Sequence, residues 1–282
     1  MKTDHPQPSL SRRALFKEGA IAAVSAATAA SSLAAYSSAN GQSLPEREPL
    51  TVQTTEGPFF LAGMANREDI TEGFAGIPLE LGFRVVDEQG KPQHGAIVDV
   101  WHCDANGVYS GFAGQGDDLS ISAVGKSFLR GRQTTNASGD VLFRTIYPGW
   151  YAGRTTHIHF KVSYDTRTAL TTQFFLPDSL SEFLYTQLPQ YKREKLRDVL
   201  NSTDGIALSA GTTVLGSVKE FSNRYHAALR IVVDPEANPR VRRPPPPGTP
   251  RPMGGPPPGF GGMPAPLKTP LGAARIKALV PS

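Results

Sequence analysis

Leu79, Leu81, Phe83 and Val85 are apolar at every second position, and that period of two dictates what the chain can build. Side chains two apart on a strand share a face, whereas a helix stripe needs spacings of three and four. The same reading makes strands of residues 79–86, 96–101, 141–146, 157–163 and 171–176, with weaker signals at 212–218 and 228–233. Turn formers separate them: Asp87-Glu88-Gln89-Gly90, Asn106-Gly107, Asn136-Ala137-Ser138-Gly139 and Pro148-Gly149. Many short strands without a helix between each pair predict an all-β chain, an antiparallel β-sandwich with few short helices. One helix is expected over 181–200, and no internal repeat is evident.

The two ends differ from this body. Ser11-Arg12-Arg13-Ala14-Leu15-Phe16-Lys17 precedes a run of small and apolar residues from Gly19 to Ala35. A charged start, an apolar stretch and small residues before a cut predict an export signal over 1–39, of the twin-arginine type. The stretch is too rich in Ala and Ser for a strong membrane span. Export to the periplasm or the extracellular space is expected. Residues 237–282 hold 14 Pro, 7 Gly, seven basic residues and no acid. That composition predicts an extended or disordered tail. What remains, residues 40–236, carries 18 basic and 23 acidic residues, so the body is mildly acidic although the chain as a whole is +4. An acidic body disfavours nucleic acid as a partner. Cys103 is the only cysteine, so no intrachain disulfide holds the core. The catalytic body is expected at 45–236.

Four segments carry chemistry: Thr55-Glu56-Gly57-Pro58-Phe59-Phe60, then 100–110 from Val100-Trp101-His102 to Tyr109-Ser110, then Thr145-Ile146-Tyr147-Pro148-Gly149-Trp150-Tyr151, then Arg154-Thr155-Thr156-His157-Ile158-His159-Phe160. On a strand His157 and His159 share one face, with Ile158 and Phe160 on the other. Such a pair suits one metal ion, or is two hydrogen-bonded core histidines. No carboxylate lies close by to complete a facial triad, and one cysteine is too few for a thiolate site. Tyr109 and Tyr151 recur in turns instead. A phenol ionises near 10 when unperturbed, and a hard trivalent ion such as Fe(III) stabilises its phenolate near neutrality. Either tyrosine alone reads better as a plug at the sandwich edge than as a ligand. Tyr147 competes with Tyr151, and His102, close to Tyr109, reads as structural.

Taken together, the four segments resemble the intradiol ring-cleavage dioxygenases, the family of protocatechuate 3,4-dioxygenase and catechol 1,2-dioxygenase. The resemblance runs from about Thr54 to Asp178. It rests on Trp101-His102 with Gly107-Val108-Tyr109-Ser110, on Thr145-Ile146-Tyr147-Pro148-Gly149-Trp150-Tyr151, and on Arg154-x-x-His157-x-His159-Phe160. It implies a non-haem Fe(III) held by Tyr109, Tyr151, His157 and His159, with Tyr151 the phenolate released on substrate binding. Tyr147 then falls outside the ligand pattern. It implies that Arg154 is the catalytic arginine and Gln173 the glutamine beside it. The implied partners are a catechol and O2, and the implied product is a muconate-type diacid. The connection from Tyr151 to His157 is five residues, shorter than in the cytosolic members, and no N-terminal helical region is apparent. Both features resemble the compact exported branch. Two other readings stay open here: a ligand-binding sandwich without activity, and a copper site on the same histidine pair.

Overall fold

The computed structural model describes residues 47–239. The export signal expected at 1–39 and all but the first three residues of the expected tail lie outside the described residues. Among the described residues eight strands form two sheets. They are β1 (Pro78–Val86), β2 (Ile97–Trp101), β3 (Arg130–Thr134), β4 (Asp140–Ile146), β5 (His157–Tyr164), β6 (Arg167–Phe175), β7 (Ser217–Phe221) and β8 (Arg224–Val232). One sheet has the order β4-β1-β8-β7, the other β3-β2-β5-β6. Helices α1 (Asp178–Gln187) and α2 (Gly205–Ala210) and a 3-10 turn at Gly211–Val214 link β6 to β7.

The alternation in β1 does what its period demands. Leu79, Leu81, Phe83 and Val85 are all buried, and they meet Val98, Val100, Ile158, Phe160 and Phe174 of the other sheet in one core. The rings of Phe83 and Phe160 lie 4.9 Å apart across the layers. Each such side chain contributes about 1.5–3 kcal/mol by leaving water, and without a disulfide this burial is what holds the sandwich.

Several elements depart from the sequence reading. Strand β3, Arg-Gly-Arg-Gln-Thr, has no apolar alternation and was not anticipated; pairing with β2 supplies its place. The pair β1 and β8 is parallel, while every other strand pair is antiparallel. The helix expected over 181–200 starts at Asp178, whose carboxylate suits a helix start, and ends at Gln187. Leu188 is already extended because it precedes Pro189, whose ring disfavours a helical residue before it. The β-branched run at 212–218 becomes a 3-10 turn followed by β7, shifted toward the C-terminus. Among the described residues no helix is long and apolar enough to cross a membrane.

Strand β5 is the element that positions the site. All residues from His157 to Ser163 are buried, on both faces. Ile158, Phe160 and Val162 enter the sandwich core. The opposite face, His157, His159 and Lys161, is covered by the loops that precede β1, follow β2 and precede β5.

Candidate metal centre

Register brings the polar face together. Trp101 of β2 sits opposite both Arg130 of β3 and His159 of β5, and His159 sits opposite Gln173 of β6. Directly opposed residues in antiparallel strands point the same way. Arg130, Trp101, His159 and Gln173 therefore form one row across four strands. The Trp101 indole lies flat on the His159 ring, with centroids 4.9 Å apart and planes 11° apart.

Two loops bring the tyrosines to this row. After β2 the chain turns on Asp104, whose Oδ1 accepts from the Asn106 and Val108 amides at 2.8 and 2.9 Å. Gly107 has φ 84, and a Cβ there would sit 2.2 Å from the Trp150 carbonyl oxygen. Only glycine fits this turn, as the Asn-Gly pair implies. The Gly149 amide donates to the Asp104 carbonyl at 2.9 Å, so the loops carrying Tyr109 and Tyr151 pack backbone to backbone. A third segment closes from above. Gly57, φ 75, lies against His159, where a Cβ would come within 2.9 Å of the ring carbon Cε1. Phe59 stacks on Tyr109 with centroids 4.4 Å apart. Glu56 and Lys161 make a buried ion pair beneath it.

Four rings then close a square. Centroid distances are 5.7 Å for Tyr109–Tyr151, 5.6 Å for Tyr151–His157, 4.8 Å for His157–His159 and 6.2 Å for His159–Tyr109. Each pair is steeply inclined, between 67° and 77°. Tyr151 Oη is 3.2 Å from His157 Nε2, and the two Nε2 atoms are 3.1 Å apart. His157 Nδ1 donates to the Thr155 carbonyl at 2.7 Å, which leaves a bare lone pair on its Nε2. The Tyr109 hydroxyl faces the same centre, is wholly buried and has no hydrogen-bond partner of acceptable geometry. Burial drives the pKa of both histidines well down and that of both phenols up. Two imidazole nitrogens and two phenol oxygens thus converge uncharged, and the geometry leaves the Tyr109 hydroxyl and His159 Nδ1 without hydrogen-bond partners. A hard cation accepting all four answers that deficit. Among the described residues no group of three or more His, Cys, Asp or Glu offers an alternative.

Arg154 stands beside this square. Its Nε donates to Asp204 Oδ2 at 2.8 Å and its Nη2 to Gln173 Oε1. Asp204 was not singled out from sequence. Its Oδ2 also accepts from the Thr155 amide at 2.9 Å, while Oδ1 caps α2 through the Ile206 and Ala207 amides. An Asp before a short helical run is a legible cap, but nothing local ties it to an arginine fifty residues earlier. Gln173 in turn donates to the Thr55 carbonyl at 3.2 Å. All six residues singled out from sequence, Tyr109, Tyr151, Arg154, His157, His159 and Gln173, are brought into this one cluster.

Tyr147 and His102 are spoken for elsewhere. The Tyr147 hydroxyl pairs with Ser181 Oγ of α1 at 2.8 Å. His102 Nδ1 donates to the Cys103 carbonyl at 2.8 Å, and its Nε2 accepts from the Thr145 hydroxyl at 2.7 Å. Burial lowers the His102 pKa from 6.5 to about 4. The unfolded chain takes up this proton at a pH where the folded one does not. Stability is therefore complete above about pH 6.5 and declines as pH falls from there toward 4, by at most about 3 kcal/mol from this group. Urea unfolding of metal-free protein across that range should show a shallower decline for His102→Gln than for the wild type; parallel curves would refute the burial of a neutral ring.

A cavity of about 190 Å³ opens against Tyr151 and Phe59 and extends along Gln115, Leu119 and Arg193. Arg193 pairs with Asp117 at 2.5 Å at its mouth, donates to the Trp150 carbonyl and lies 4.1 Å over the Trp150 ring. Tyr151 and Ala152, at the start of the short connection to His157, form part of its wall.

A family profile described as Dioxygenase matches residues 55–197, which spans all four segments. Catechol 1,2-dioxygenase of Acinetobacter baylyi is 30% identical over 224 residues, covering 70% of this chain and 68% of that protein. Catechol 1,2-dioxygenase 1 of Acinetobacter lwoffii is 33% identical over 147 residues, 44% of this chain and 45% of that protein. Across several such curated relatives the chain matches about half of their length. The solved intradiol ring-cleavage dioxygenase from Tetranychus urticae superposes with a TM-score of 0.63 at 30% identity, covering 69% of this chain and 98% of that one. The paired sheets, the four-ring square and these relatives converge: the chain belongs to the intradiol ring-cleavage dioxygenase family.

Proposed function

We propose that the protein holds one non-haem ferric ion through Tyr109, Tyr151, His157 and His159, and uses O2 to split a catechol ring between its two hydroxyl-bearing carbons. The observation that carries this is the closed square of two phenols and two imidazoles with the Tyr109 hydroxyl left unpartnered in the interior. When bound, the ion supplies Lewis acidity toward a chelating catechol and makes phenolate donors available at neutral pH.

The chain's own residues divide the remaining work. Tyr109 is completely buried under Phe59 and suits a permanent donor. Tyr151 is only partly buried and lines the cavity, so it is the phenol a substrate can displace. Were it freed by a chelating catechol, its oxygen would be placed to take a proton from a catechol hydroxyl. Arg154 holds a fixed positive charge where negative charge develops on the ring. Gln173 and Asp204 fix its orientation. Phe59, packed against both Tyr109 and Tyr151, keeps water from the reacting face. Both atoms of O2 end in the product, a cis,cis-muconate-type diacid, so no external reductant enters the balance.

Export through the twin-arginine sequence around Arg12 and Arg13 belongs to the same proposal. It places the substrate outside the cytoplasm. The decisive experiment is metal analysis of the mature protein, followed by oxygen uptake and product analysis with a panel of catechols. One iron per chain, a red-brown colour and a ring-opened diacid are the expected results. Protein that stays colourless and inert after ferric loading, or that carries copper with hydroxylated product instead, would overturn the reading.

A further inference from the structure

Three cations lie on the polar face of the β3-β2-β5-β6 sheet and its covering loops, Arg130 and Lys161 buried and Arg154 partly so. Arg154 has Asp204 as its counter-ion, and Lys161 has Glu56. Arg130 is 2% exposed, and no carboxylate pairs with it among the described residues. Burying a guanidinium without an anion costs several kcal/mol unless its hydrogen bonds are all met. An apolar residue of similar volume would pack here at no such cost.

Arg130 spends its donors on one place. Nε donates to Ser110 Oγ at 2.7 Å, Nη2 to the Ser110 carbonyl at 2.6 Å and Nη1 to the Phe59 carbonyl at 2.5 Å. Ser110 Oγ passes its own proton to the Phe128 carbonyl at 2.7 Å. Ser110 follows Tyr109 directly, and Phe59 is the ring stacked on Tyr109. The guanidinium carbon lies 6.0 Å from the Tyr109 ring and 5.5 Å from that of Phe112. One planar fork therefore ties together the two backbone segments between which Tyr109 is held. The base of that fork stands in the same sheet row as His159, so the clamp and the imidazole share one rigid support.

We propose that Arg130 is the positioning residue for Tyr109: it clamps Ser110 to Phe59 and so sets the direction in which the Tyr109 oxygen faces the other three donors. The inference rests on Tyr109 serving as a ligand only for its consequence in metal binding; the clamp itself is a property of the metal-free protein. Lysine cannot replace arginine here, because a single ammonium does not span three acceptors in one plane.

The test uses the full chain with ring-labelled tyrosine, in Arg130→Lys, Arg130→Gln and Ser110→Ala. In the metal-free protein the Tyr109 resonance, identified by its loss in Tyr109→Phe, should move and broaden in both Arg130 variants and shift less in Ser110→Ala. On ferric titration the Arg130 variants should bind about tenfold or more weakly and show a displaced charge-transfer band. Turnover of catechol should fall more than KM rises. A Tyr109 resonance unmoved in Arg130→Lys and Ser110→Ala overturns the proposal, as does a normal ferric band at unchanged affinity in variants that have merely lost thermal stability. If the wild type itself takes up no iron, the functional reading fails while the Tyr109 resonance still decides on the clamp.

Discussion

Tyr109→Phe should leave the protein folded, and slightly more stable when metal-free, while weakening ferric binding by more than about a hundredfold, the upper end of what changes outside a ligand set produce. The two effects have opposite signs for one reason. The Tyr109 hydroxyl is buried with the Tyr151 hydroxyl near it but no well-formed hydrogen bond, so without a metal it is a poorly satisfied, desolvated group that costs about 1–3 kcal/mol. Phenylalanine keeps the ring, its stack on Phe59 and its volume, and removes only that oxygen. His157→Ala should lose iron to a similar degree but destabilise the fold, because the Thr155 carbonyl loses its donor and a buried ring leaves a hole. Calorimetry on metal-free protein, paired with ferric titration followed by colour, reads both signs. A Tyr109→Phe protein that binds iron with the wild-type spectrum would remove this residue from the donor set. One that is markedly less stable without metal would mean that its hydroxyl has a partner.

Arg154→Lys should lower turnover by about 10² to 10³, with the ferric colour retained and KM changed much less. Loss of one preorganised donor or charge at a developing anion costs that much in other enzymes. Lysine is the informative replacement. It keeps a positive charge near Asp204, so it avoids stranding a buried carboxylate, which would cost about 3–5 kcal/mol and confound the measurement. It cannot reach Asp204 and Gln173 together in the arginine's planar geometry. Arg154→Leu, by contrast, should lose stability as well as activity, since Asp204 also holds the Thr155 amide and caps α2. Steady-state kinetics beside a thermal melt separate the two variants. Turnover within a few fold of wild type in Arg154→Lys would show that the charge is not aimed at the reacting ring.

Much of this protein was legible where its information is local. Period two in 79–86 announced β1 and its inward face, because the pleat itself imposes that period. The His-x-His spacing announced two side chains on one face of β5, and Asn106-Gly107 announced the turn that delivers Tyr109. Local rules also explain one miss: Pro189, read with the residue before it, ends α1 where the expected helix ran on. The tertiary structure alone decided the rest. Strand β3 has no apolar period, and it is a strand because β2 pairs with it. The parallel placement of β1 beside β8 depends on a crossover spanning most of the body. Arg130 and Lys161 carry no local sign of their roles, and Asp204 shows only its cap, since the other partners lie from about 20 to more than 100 residues away in the chain. A pattern of neighbours can reveal which way a side chain points, but only folding brings together the distant groups that make a buried charge tolerable and a ring of donors complete.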